Sequence, residues 1–177
     1  MRNKPIATHQ AALTLKRLGK LWLAWNESGL VSLRFGDSGV EAFEDVRLRK
    51  HAPAEFSKPL RALDAGKKPD LGEIRVDLGG TIFQQEVWNA LRKIPIGAVR
   101  TYAGVAADIK RPRATRAVGM ANGANALPVV IPCHRVISAG SALGGYSGGL
   151  KRKRLLLELE GVEFDGDLVL PGQLALF

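Results

Sequence analysis

Cys133 is the only cysteine of the chain and stands in the run Ile131-Pro132-Cys133-His134-Arg135-Val136-Ile137, beside a histidine and an arginine. A lone thiol has no partner for an internal disulfide and is too little sulfur for a cysteine-based zinc site. Cationic and imidazole neighbours favour the thiolate, so these residue types together point to a nucleophile. Adjacent side chains of an extended segment point to opposite sides, which strains a direct Cys133–His134 hydrogen bond. A bridging water or a sharp turn after Pro132 relieves that strain. The imidazole also needs an orienting carboxylate. Asp108 is the only acid between Asn89 and Arg154, and Glu158 and Glu160 follow on the next helix, so the partner is one of these three.

The charge is concentrated around this motif. The 177 residues carry a net +9, yet residues 89–154 hold twelve Lys/Arg against the single Asp108, while the remainder has fourteen Lys/Arg and sixteen acids. All of the excess is in the segment with Cys133, an asymmetry that a polyanionic partner explains better than solubility does. With 46% hydrophobic and 24% charged residues the composition is that of a folded globular protein. The longest apolar stretch, 126–132, is far too short to span a bilayer, and the charged N-terminus lacks an apolar signal core. The expectation is a protein of a reducing compartment, cytoplasmic and nucleoid-associated in a prokaryote, with no membrane partner.

The elements that must position the motif are visible in part. Leu21, Leu23 and Trp25, then Val31, Leu33 and Phe35, alternate around the turn-forming Asn26-Glu27-Ser28-Gly29 and predict a hairpin over 20–36. Ser38 and Glu41 form a capping-box signature that predicts a helix through the forties. Phe56, Leu60 and Leu63 fall at helical spacing before Gly66, and Ile74, Val76 and Leu78 read as a short strand. Gly79-Gly80 marks a boundary, giving domains 1–78 and 79–177. Beyond it, Thr81 and Gln84 open a helix with Phe83, Val87, Leu91 and Ile94 on one stripe, ended by Pro95–Gly97. Thr101 caps a short helix, and another covers 113–124; such a pair resembles a helix-turn-helix. Residues 128–137 are expected to be extended, 144–149 a glycine-rich loop, and 150–160 a final helix. Lys151-Arg152-Lys153-Arg154 reads as a solvated face of that helix.

Pro132-Cys133-His134-Arg135-Val136 strongly resembles the active-site motif of the O6-alkylguanine-DNA alkyltransferases. The resemblance runs from about Gly79 to Gly161 and includes Phe83-Gln84-Gln85-Glu86-Val87-Trp88, Arg100-Thr101-Tyr102, Arg116-Ala117-Val118-Gly119, Asn125 and Gly145-Tyr146-Ser147-Gly148-Gly149. It implies a mixed α+β fold: a small N-terminal α/β domain, ribonuclease-H-like in the family, before a mostly helical, winged helix-turn-helix-like catalytic domain. It implies that Cys133 accepts an alkyl group from guanine O6, possibly also thymine O4, in one irreversible turnover, with no cofactor. His134 takes the thiol proton through a water, Glu160 orients His134, and Asn125 braces the Cys133 segment. Tyr102 donates to the guanine ring, and Ser147 contributes near O6. The carbonyls of Cys133 and Val136 read the exocyclic amine, while Pro128, Tyr146 and Gly148 shape the base pocket. Arg116 fills the place of an extruded nucleotide, the small Ala117 lets its helix approach the DNA backbone, and Arg135 belongs with the DNA contacts.

The partner so implied is double-stranded DNA containing O6-alkylguanine, bound by a monomer. Two departures stand out. Ala126 follows the asparagine where the family often has proline, and Gly148 stands where some members carry a bulky aromatic, predicting a roomy pocket. Some members bind zinc in the N-terminal domain; with only His9 and His51 there, no metal is expected. A base-recognition module without chemistry commonly lacks the cysteine, and a Cys–His hydrolase leaves the basic segment and Arg116 without a purpose.

Overall fold

The computed structural model describes residues 5–36, 43 and 45–175. Strands β1 (His9–Leu15), β2 (Gly19–Trp25) and β3 (Leu30–Phe35) form an antiparallel meander, and β4 (Arg47–Leu48) adds parallel to β1, giving the order β3-β2-β1-β4. The predicted hairpin is β2–β3. Alternation buries Leu21, Leu23, Leu33 and Phe35, and β1 repeats it with Ala11, Leu13 and Leu15. Helix α1 (Ala54–Asp64) lays Phe56, Leu60 and Leu63 into the same core. Its last residue, Asp64, accepts hydrogen bonds from the backbone N–H groups of Lys16, Arg17 and Leu18, at 2.8, 3.0 and 2.8 Å. One buried carboxylate thereby satisfies the whole β1–β2 turn.

Two expectations change here. Ser38 and Glu41 lie outside the described residues, and the later forties form β4 rather than a helix, because Arg47 and Leu48 pair with His9 and Gln10. The strand expected over 74–78 shrinks to one parallel bridge between Leu30 and Val76. It forms where the backbone of Gly29 meets Arg75 so closely that a Cβ on Gly29 would lie 2.6 Å from the Arg75 carbonyl oxygen.

The second half is built from helices. Helix α2 (Ile82–Leu91) begins with the predicted capping box, in which Thr81 and Gln84 satisfy each other's backbone N–H groups. Val87, Trp88 and Leu91 are buried, and the Trp88 indole donates to the Ala121 carbonyl at 2.9 Å. Thr101 caps α3 (Tyr102–Asp108), and a 3-10 turn over Pro112–Ala114 leads into α4 (Thr115–Gly123). Helix α5 (Leu150–Leu159) follows the glycine-rich loop. Between α4 and α5, β6 (Val136–Ile137) pairs in parallel with β5 (Arg100–Thr101). The chain then makes the small hairpin of β7 (Phe164–Asp165) and β8 (Leu168–Val169). One continuous apolar cluster links the sheet, α1 and the helices α2–α5. Among the described residues no helix is long and apolar enough to cross a membrane.

Candidate functional site

The segment around Cys133 is not the extended run expected for 128–137. Residues Cys133–Arg135 form a 3-10 turn immediately after Pro132, with Val129 already at a φ of 76°. The turn removes the opposite-sides constraint on Cys133 and His134 and sends each to separate partners. The two-residue pairing of β5 with β6 then ties the start of α3, and with it Tyr102, to the end of this turn.

His134 is completely buried, and its Nε2 lies 2.9 Å from Glu160 Oε1. A carboxylate only accepts, so Nε2 carries the hydrogen and Nδ1 presents a lone pair. Nδ1 has no hydrogen-bond partner among the described residues. Of the three candidate acids the structure therefore selects Glu160. Asp108 instead pairs with Arg100 at 2.6 Å and Glu158 with Arg154 at 2.9 Å. Arg135, expected among the DNA contacts, is turned inward. Its Nε and Nη2 grip both Glu160 oxygens at 2.8 Å, and Nη1 donates to the Ile94 carbonyl at 2.6 Å. A buried carboxylate requires such a fork, and Arg135 supplies it.

Asn125 forms the other side of the site. Its Oδ1 accepts from Leu127 N–H at 2.9 Å, while Nδ2 donates to the Ile131 carbonyl at 2.9 Å and to Cys133 Sγ at 3.0 Å. The backbone bracing was expected; the direct bond to sulfur was not. Asn122, absent from the expectations, donates to the Cys133 carbonyl at 3.4 Å. Its place in the stripe Val118, Ala121, Asn122, Asn125 was the available signal.

The larger omission is Lys153. Expected on a solvated face, it is wholly buried, and its ammonium donates to the carbonyls of Val136 at 2.6 Å, Leu143, and Gly145 at 3.3 Å. Helical spacing gives the reason: Lys153 shares a stripe with Leu156, Leu157 and Glu160, all buried. The cationic run misleads because one of its members faces inward. Lys153 also occupies the Val136 carbonyl, one of the expected readers of the guanine amine.

The electrostatics divide the labour. Burial pushes the Cys133 thiol up, against the Asn125 hydrogen bond and the Lys153 charge, so the resting group is the neutral thiol. The net direction is opposite to the thiolate bias expected from sequence, and it makes a base necessary. Burial holds His134 low despite Glu160, leaving a neutral imidazole able to accept a proton. Burial opposes the charge of Glu160, but His134 and Arg135 outweigh it and hold the carboxyl at about 2. Lys153 is brought down by burial to about 8. Tyr102 and Tyr146 are both raised, by burial first and then by Cys133, which keeps their hydroxyls protonated as donors.

A cleft runs beside this array, lined by Asn125, Pro128, Ser147 and Gly148 together with residues of β3. Cys133 does not itself line it, but its sulfur is bonded to Asn125, which does. Gly148 lies outside the positive-φ region, and a Cβ there would meet the Tyr146 ring at 2.7 Å. The missing side chain at 148 therefore makes way for Tyr146 rather than opening empty volume. Arg116 and Ala117 are exposed on α4, and Met120, one helical turn after Arg116, is exposed as well.

Comparison with known proteins identifies the family that the motif around Cys133 resembles. The family described as 6-O-methylguanine DNA methyltransferase, DNA binding domain, matches residues 82–162. The chain is similar to the methylated-DNA–protein-cysteine methyltransferase of Mycobacterium tuberculosis, 44% identical over 156 residues, 86% of this chain and 93% of that protein. It is 40% identical to the protein of the same name from Methanosarcina acetivorans over 81% of this chain and 93% of the relative. Among solved structures it is similar to Mycobacterium tuberculosis OGT in complex with DNA, with a TM-score of 0.74, 39% identity and coverage of 86% and 92%. The O6-methylguanine-DNA methyltransferase from Pyrococcus kodakaraensis gives a TM-score of 0.61 at 25% identity, covering 87% of this chain and 99% of that one.

Two outcomes follow from the charges. His134 and Glu160 both have folded values below their ordinary 6.5 and 4.5, so the unfolded chain binds more protons in acid. Their stabilisation is complete above those ordinary values and is lost as pH falls, first through His134 and then toward about 2 through Glu160. Glu160→Gln is expected to flatten the lower limb of a urea-stability profile against pH, and to cost roughly 3 kcal/mol at neutral pH by leaving Arg135 unpaired. A variant with the wild-type acid limb contradicts this. Lys153→Met removes a cation that favours the thiolate, so the pH curve for alkylation of Cys133 is expected to move to higher pH. An unmoved curve shows that Lys153 acts on the loop alone.

Proposed function

The chain belongs to the 6-O-methylguanine DNA methyltransferase family, and from that premise we propose how its residues carry out the reaction. It is a DNA repair protein of the methylated-DNA–protein-cysteine methyltransferase class, transferring an alkyl group from DNA to its own cysteine. The observation that carries the assignment of roles is the buried array Arg135–Glu160–His134 packed behind the lone Cys133.

In this scheme His134 Nδ1 takes the Cys133 proton through one water, and Glu160, held by Arg135, stabilises the imidazolium. The thiolate attacks the alkyl carbon of O6-alkylguanine. A C–S bond forms, the C–O6 bond breaks, and its electron pair goes to O6. Tyr102 donates a hydrogen bond to the ring as that charge develops, and guanine regains a proton at N1, balancing the one held by His134. Ser147 contributes near O6, while Pro128 and Tyr146 bound the base. Asn125 steadies the thiolate through its Nδ2 contact. The thioether is stable, so each molecule acts once and needs no cofactor.

The target atom lies inside the base stack, so the nucleotide must be extruded at a cost of a few kcal/mol. Arg116 enters the gap, and the small Ala117 beside it permits close approach to the backbone, a reading supported by the exposure of both residues on α4. The exposed part of the basic segment supplies phosphate contacts of low sequence preference; the buried Arg135 and Lys153 do not take part. We assign residues 1–78 to a ribonuclease-H-like domain, supported by the meander followed by a parallel strand and α1. Residues 79–177 form the catalytic domain, of winged helix-turn-helix type, supported by α3, the turn and α4. The protein acts as a monomer on duplex DNA containing O6-alkylguanine.

The test is intact mass and peptide mapping after incubation with methylated duplex DNA. One added methyl on Cys133, reached once and never exceeded, is expected. Cys133→Ser should abolish it while keeping DNA affinity within a few-fold, because affinity comes from phosphate contacts. Stoichiometric transfer by the serine variant rules out the assignment. Arg116→Ala is expected to slow repair of duplex DNA much more than reaction with a free O6-substituted guanine, which has already left the stack. Equal losses on the two substrates would place Arg116 in folding or chemistry instead.

A further inference from the structure

Strand β3 sits at the edge of the N-terminal sheet, and its outer side meets both lips of the cleft. On one lip, the Leu33 N–H donates to the Ala126 carbonyl at 2.9 Å, and Ser32 Oγ reaches the same oxygen at 3.4 Å. Ala126 is the residue next to Asn125, which holds the Cys133 sulfur. On the other lip, the Phe35 ring lies under the Arg152 guanidinium, 4.0 Å from its centroid. Arg152 in turn donates through Nη1 to the Gly148 carbonyl at 2.8 Å. Phe35 and Leu33 are both buried and lie on the same face of the strand, so one rigid element fixes both contacts.

We propose that β3 is a clamp that sets the width of the acceptor cleft, with Phe35 a specificity-determining positioning residue that acts through Arg152 on the Gly148 lip. This gives the N-terminal domain a part in the reaction and rests on the assignment of Cys133 as acceptor. A flat guanidinium suits the task, since it can lie on a ring and still aim one N–H along the plane at a carbonyl. With the lip tethered to Phe35 the cleft stays open. Once released, the lip closes on the cleft and excludes the larger alkyl group first.

The experiment compares inactivation of the intact protein by two free bases, O6-methylguanine and O6-benzylguanine, so that DNA affinity cancels. The readout is the ratio of their second-order rate constants in wild type, Arg152→Met, Arg152→Lys, Phe35→Leu and the Phe35→Leu/Arg152→Met double variant, with thermal melts alongside. Arg152→Met is expected to lower the benzyl-to-methyl ratio at least about five-fold. Arg152→Lys should lower it similarly, because charge alone does not span ring and carbonyl. Phe35→Leu should lower it in the arginine background and add nothing to Arg152→Met. Retention of the wild-type ratio in Arg152→Met, rescue by lysine, additive effects in the double variant, or equal losses on both bases would each overturn the clamp. A wild type that reacts with methyl but not benzyl base also overturns it, while one inert to both bases and to methylated DNA overturns the acceptor assignment and the clamp together.

Discussion

A single buried negative charge, the Glu160 carboxylate, organises the catalytic half of this protein. Its oxygens are divided between His134 and Arg135, two residues of the same 3-10 turn, so the acid at the end of α5 determines how the chain must turn after Cys133. Two charges or near-charges buried together are stable only when every lone pair and proton is matched. Arg135 completes that matching by also reaching the Ile94 carbonyl just past α2. α2, the nucleophile turn and α5 are thereby joined at one point. The imidazole is left with a single unengaged nitrogen, the one a general base requires.

The environment of the thiol sets opposing influences against each other, and burial prevails. Burial favours the protonated form, while Asn125 and Lys153 favour the thiolate. A thiol kept neutral at rest is protected from stray electrophiles. Lys153 carries two loads: it favours the thiolate, and it gathers the carbonyls of Val136, Leu143 and Gly145 that shape the loop before α5.

What could be read in the sequence was whatever obeys local rules. The Thr81–Gln84 box, the Thr101 cap, the β2–β3 alternation and the helical stripe of α1 all appear as expected, because each is decided within a few residues. The motif order around Cys133 likewise announced the family and the residues that Asn125 and Glu160 were to serve. The features that were misjudged depend on distant partners. Nothing near Arg47 announces pairing with His9, and nothing near Arg135 announces a carboxylate 25 residues away. Lys153 was legible through its spacing from Leu156 and Glu160, yet its three cationic neighbours masked it. Gly148 was read as open space, whereas only the fold shows the Tyr146 ring filling it.

The edge of β3 also has a meaning for biosynthesis. An unpaired strand edge is a template for aggregation, and folded proteins cover it or break it. Here the cover is Val76 at one end and Ala126 further along, and the second lies nearly a hundred residues downstream of the strand it caps. The N-terminal sheet emerges from the ribosome first and is exposed on that side until the Asn125 turn is made. The turn that steadies the reactive sulfur is therefore also a late-arriving seal against self-association of the nascent chain.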